Sequence, residues 1–165
     1  RSRAAVALSG HLGVELDARI LSDADANELK AWIALYKDLR DRLHHGRVWR
    51  GQLQDGLVWQ AHGDVDAQGL ATDLLLLVYR TQPSSHRYTP RLPLSMLDAQ
   101  ATYRVQQVLP AGTVLPTGAH NTAPFFDALN VEDGMTLDGG WLRHAGLPLP
   151  RAQAETAFIV QLTRV

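Results

Sequence analysis

The chain has no cysteine among its 165 residues. Disulfide scaffolds, thiolate metal sites and cysteine nucleophiles are therefore excluded. Net charge is also nearly absent, since 16 Lys and Arg stand against 17 Asp and Glu. No block of Lys and Arg forms a stripe, so the electrostatic footprint of a nucleic-acid binder is missing. Long apolar runs are lacking too. The longest, residues 74–79, is far too short to span a bilayer as a helix. Neither a nucleic-acid partner nor a membrane partner is expected. No leader-like segment is visible, and the first residue is Arg1 rather than Met. The expectation is a piece cut from something longer, with a cytoplasmic location for the parent.

What remains is an ordinary globular composition, 45% apolar and 20% charged. The length suits one domain with a core, or one domain plus part of another. Two stretches differ in character. Residues 1–46 read as α/β and residues 47–165 as all-β. In the first, Leu12, Val14 and Leu16 alternate with Gly13, Glu15 and Asp17, which predicts a strand over residues 12–16. Residues 1–8 fit either an apolar strand or the end of a helix.

The clearest helix follows. Ser22 is a good N-cap, Asp25 lies three residues on as a variant capping box, and Asp23 adds negative charge at the positive end of the helix dipole. Leu29, Trp32, Ile33, Tyr36, Leu39 and Leu43 recur at spacings of three and four and predict one apolar face. Asp38 and Arg42 form an i,i+4 pair. Gly46 is expected to end the helix in the left-handed conformation.

The second stretch alternates. Val48, Trp49 and Leu53 stand among polar residues, Asp55-Gly56 signals a two-residue hairpin, and residues 57–62 return. Residues 72–81 are the most apolar strand and should be central, buried on both faces. Residues 91–97, 102–109 and 155–165 are further strands, and residues 83–90 a polar loop. Short antiparallel strands at this spacing predict a sandwich.

Candidate chemistry is sparse. His62, Asp64, Asp66, Gln68 and Gly69 imitate the start of a calcium loop, where alternate oxygens converge on the ion. The position that needs a bidentate Glu is Leu75, so a turn between strands is the better reading. Among the seven histidines, His44 and His45 are adjacent on a helix and point about 100° apart, too divergent to chelate one ion. His86, His120 and His144 sit in separate polar segments. The run from Ser9 to Gly13 is not Gly-x-Ser-x-Gly, so no nucleophile elbow is present. Glu15 and Asp17 share one face of the expected strand, and a carboxylate pair does acid–base work if held about 5 to 10 Å apart. A solvated or capping role is the plainer reading. Trp49 and Trp59 would stack on sugar rings if exposed, but such residues more often form core. No metal site is read from these residues.

A resemblance covers the two ends of the chain. The run Arg3-Ala4-Ala5-Val6-Ala7-Leu8-Ser9-Gly10-His11-Leu12-Gly13-Val14-Glu15-Leu16-Asp17 resembles the last strand region of the barrel in α-galactosidases of glycoside hydrolase family 36. Leu21-Ser22, Trp32-Ile33-Ala34-Leu35-Tyr36-Lys37, Leu39-Arg40 and His45-Gly46-Arg47-Val48-Trp49-Arg50 are similar to that family's final barrel helix and its exit. Leu137-Asp138-Gly139-Gly140-Trp141-Leu142 and Gly146-Leu147-Pro148-Leu149-Pro150 look like its closing loop before the last strand. The resemblance implies an α+β piece: the end of a (β/α)8 barrel over residues 1–46, then an antiparallel β-sandwich over residues 47–165.

It also implies a parent that hydrolyses terminal α-galactosides of oligosaccharides with retention, using two aspartates and no metal or organic cofactor. Both lie on earlier barrel strands in that family, so no catalytic residue is carried onto this sequence. Active sites of such barrels sit at the C-terminal ends of the strands. The resemblance makes His11 the one candidate substrate contact, at the barrel rim, with a buried or loop-packed histidine as the plainer reading. The sandwich would cap the barrel or support a homo-oligomer. The competing readings are a free-standing carbohydrate-binding module with Trp49 and Trp59 as platform, and an interaction domain.

Overall fold

The computed structural model describes residues 2–15, 17–54, 56–83, 91–109, 125, 129, 134–150 and 154–165. Helix α1 (Ser2–Ala7) opens the chain, so of the two readings of its start the helical one holds. Residues 11–15 are irregular and mostly exposed, not the predicted strand, and Leu16 lies outside the described residues. Among the described residues the alternating pattern there has no neighbouring strand to pair with, and an isolated strand leaves its amides and carbonyls unbonded. A single 3-10 turn (Ala18–Ile20) leads on to helix α2 (Asp23–His45).

Helix α2 starts as its sequence predicts. The Ser22 hydroxyl oxygen accepts from the Asp25 amide at 3.1 Å and donates to the Asp25 carboxylate at 2.6 Å. Its end differs from expectation. Gly46 is extended (φ −67°, ψ 155°), with its amide donating to the Arg42 carbonyl. Glycine is needed there for space, not for left-handed backbone. A Cβ on Gly46 would stand 2.6 Å from the Arg42 carbonyl oxygen and 2.9 Å from the Gly63 amide nitrogen.

The sheet then follows with no intervening linker. Strands β1 (Arg47–Leu53), β2 (Leu57–Val65) and β3 (Ala71–Arg80) form a meander. Leu53 pairs with Leu57, so the β1–β2 turn spans three residues rather than two, with Gly56 at φ +69° and Asp55 outside the described residues. Strands β5 (Thr102–Gln107), β6 (Met135–Asp138) and β8 (Thr156–Arg164) complete a six-stranded antiparallel sheet in the order β1-β2-β3-β8-β5-β6. A two-stranded ribbon of β4 (Arg91–Leu92) and β7 (Leu147–Pro148) and the short helix α3 (Gly139–His144) lie beside it. The antiparallel β architecture is as predicted, but the second layer is a ribbon and connections. Residues 91–97 give only two strand residues. Residues 137–142, read as a closing loop, are the end of β6 and most of α3. Of the expected 83–90 loop, all but Pro83 lies outside the described residues.

Strand β3 is central and buried on both faces, as its run of leucines predicts. Pleating sends alternate side chains to opposite sides. Leu74, Leu76 and Val78 join a core with Leu57, Ala61, Tyr103, Val105, Val160 and Leu162, closed by Leu92, Leu94, Leu142 and Leu147 of the ribbon layer. Leu75 and Leu77 join Ile159 under the helices, where Trp32, Leu39 and Leu43 of α2 and Ala5 and Leu8 beside them seat. The apolar face of α2 is thus centred on Trp32, Leu39 and Leu43, with Leu35 and Tyr36 packed beside them, while Leu29 and Ile33 are only half-buried. Burying three such side chains contributes roughly 5–8 kcal/mol before chain entropy. The Tyr79 hydroxyl donates to the Ala5 carbonyl at 3.3 Å and pins α1 to the same face.

The close seating at Gly46 makes a specific prediction. Gly46→Ala should cost about 1–3 kcal/mol, as overpacking does, although the backbone there is open to any residue. Chemical denaturation checks it, and an unchanged midpoint would mean that α2 lifts freely from β2.

Candidate functional site

The residues with chemical potential collect where α2 ends on the sheet. Arg42 was expected to pair with Asp38. Instead its Nη2 lies 3.1 Å from Asp73 Oδ2 on β3. The Thr163 hydroxyl reaches the same oxygen at 3.5 Å. Burial raises the Asp73 carboxyl above its usual value, and the Arg42 charge only partly pulls it back. Asp64, directly across the strand pair from Asp73, adds repulsion.

The two adjacent histidines at the end of α2 diverge as predicted. His45 Nδ1 donates to the Asp41 carbonyl at 3.1 Å, while His44 Nε2 meets the Tyr36 hydroxyl at 2.8 Å. His11 lies over His44, with ring centroids 4.5 Å apart and planes 15° from parallel. His62, on β2 beneath α2, is only 3% exposed and contacts the Gln60 amide nitrogen. Burial holds its imidazole below the ordinary histidine value. The Leu43 backbone partly offsets this, and the His44 charge adds to it.

The remaining candidates are dispersed. Glu15 is exposed and irregular, so it shares no strand face with Asp17. Asp17 is exposed and paired with Arg19 at 2.8 Å, which holds its carboxyl below the usual range. The calcium-like residues form a turn. Asp66 Oδ1 accepts from the Gln68 and Leu70 amides, and its Oδ2 takes Arg164 at 2.8 Å. Arg164 reaches Asp98 as well, at 3.6 Å. Trp49 and Trp59 are half-buried and pack on the ribbon-side core, Trp59 covering Gly51 across the strand pair. His144 is exposed in the last turn of α3, and His86 and His120 lie outside the described residues. Among the described residues no cluster of three His, Cys, Asp or Glu has metal-site geometry.

Sequence reasoning missed the Arg42–Asp73 pair and the bridging role of Arg164. Both join residues more than 30 positions apart, and Arg42 had a closer acid at helical spacing. It also missed Tyr103, whose buried hydroxyl donates to the Ala71 carbonyl at 2.7 Å and accepts from the Asp98 amide at 2.9 Å.

The buried His62 sets a pH dependence. Its folded-state value is lowered, so the unfolded chain takes up a proton first as pH falls through 6.5. Stability should be flat above about pH 7 and should decline as pH drops below 6.5 toward the folded-state value. In His62→Gln this part of the decline should vanish. Denaturant midpoints across pH 5–8 check it, and equal slopes in both proteins would show that His62 is not the group involved.

Known proteins resemble this arrangement over its whole length. Residues 1–46 match the Melibiase family model, and residues 65–162 match the model of the Glycosyl hydrolase family 36 C-terminal domain. An Escherichia coli protein described as "Alpha-galactosidase" is 25% identical over 163 residues, covering 98% of this chain and 22% of that protein. A "Probable alpha-galactosidase C" of Aspergillus flavus is 30% identical over 98 residues, covering 59% of this chain and 13% of its own length. The chain thus spans about a fifth of these relatives, or less. Among solved structures, the family 36 α-galactosidase AgaB from Geobacillus stearothermophilus aligns with a TM-score of 0.70 at 22% identity, over 99% of this chain and 19% of that one. The α-galactosidase from Lactobacillus brevis aligns with a TM-score of 0.69 at 18% identity, over 99% and 20%. At these identities the likeness is one of fold. The family model for the C-terminal domain spans well over half of the chain, and the chain belongs to glycosyl hydrolase family 36.

Proposed function

We propose that this chain is the C-terminal portion of a retaining α-galactosidase, and that its sheet serves as the support on which a barrel helix is seated. The observation that carries the reading is the junction itself. The segment matched to Melibiase ends in α2, and α2 is fixed on the sheet of the C-terminal domain by Trp32, Leu39, Leu43 and the Arg42–Asp73 pair. The relatives are described as α-galactosidases, which supports terminal α-galactosides of oligosaccharides as the substrates of the whole enzyme. Two aspartates outside this sequence would perform the chemistry, one as nucleophile and one as acid–base. His11 keeps a proposed place near the barrel rim, although here it rests on His44. The half-buried Trp49 and Trp59 favour the supporting role over a free-standing sugar-binding platform.

The purified chain should not hydrolyse p-nitrophenyl α-galactoside. Joined to the barrel of a family 36 relative in place of that relative's own C-terminal part, it should yield an active enzyme. Turnover by the chain alone, lost on mutating Glu15 or Asp17, would overturn this reading, as would a chimera that folds without activity.

A homo-oligomer belongs to the same proposal. Trp32 faces the sheet, and the apolar residues of the helical layer left for association include half-buried Leu29 and Ile33 and exposed Val6 and Ile20. The chain should self-associate at high concentration, and Val6→Asp with Ile20→Asp should weaken this without unfolding it. A strictly monomeric sedimentation profile would refute self-association.

A further inference from the structure

We draw no further inference here: the strongest candidate, the side-chain cluster of Arg42, Asp73, Asp64 and Thr163 where the last turn of α2 meets β2, β3 and β8, carries nothing beyond the ion pair already described, because a switch built on it would rest on the upward shift of the Asp73 carboxyl alone.

Discussion

The structure depends on one close approach, the seating of the last turn of α2 on β2. Gly46 lies against the Gly63 backbone with no room for a side chain: a Cβ on Gly46 would stand 2.9 Å from the Gly63 amide nitrogen and 3.3 Å from its carbonyl oxygen. That contact fixes the height of the helix over the sheet. At that height Leu39 and Leu43 reach Leu75, Leu77 and Ile159, and Arg42 reaches Asp73. It also decides where β1 begins, since Arg47 follows Gly46 directly and pairs with Gly63. Helix and first strand are therefore parts of one rigid corner.

Around this corner several charged and polar groups are joined in pairs that span elements. Arg164 ties the end of β8 to the β2–β3 turn through Asp66, and to the connection before β5 through Asp98. Tyr103 ties that connection to the start of β3. Surface pairs contribute little alone, typically below about 1 kcal/mol. Here their role is positional. They hold turns whose backbone would otherwise be free to move against the two apolar cores.

Much of this was legible before the fold was known. The N-cap at Ser22, the span of α2, the β1–β2 hairpin and the two-sided burial of β3 all follow from local patterns that the tertiary structure did not override. The family could be read from motifs at the two ends. What failed shares one cause. The strand expected at residues 12–16 needs neighbours, and alternation alone cannot form one. The Asp38–Arg42 pair obeys helical spacing, but Arg42 found a better acid 31 positions away. Gly46 was read for its backbone freedom when its size was what mattered. For the candidate site, the divergence of His44 and His45 was legible from helical geometry. The approach of His11 and His62 to that helix end was not, because it is set by the packing of three separate segments.

The pairing of β3 with β8 has a further consequence. Asp73 lies opposite Thr163, 90 residues on, with more than half of the chain between them. Such distant pairing is slow to form. During synthesis β3 emerges long before its second neighbour, and until then its outer edge presents unpaired amides flanked by four leucines and a valine. An open apolar edge of this kind is a template for association with other chains. Between the translation of Leu77 and of Val160 this edge stays open, and the nascent chain is exposed to association with others. The hydrophobic strand that makes the finished sheet stable is also what makes its birth hazardous.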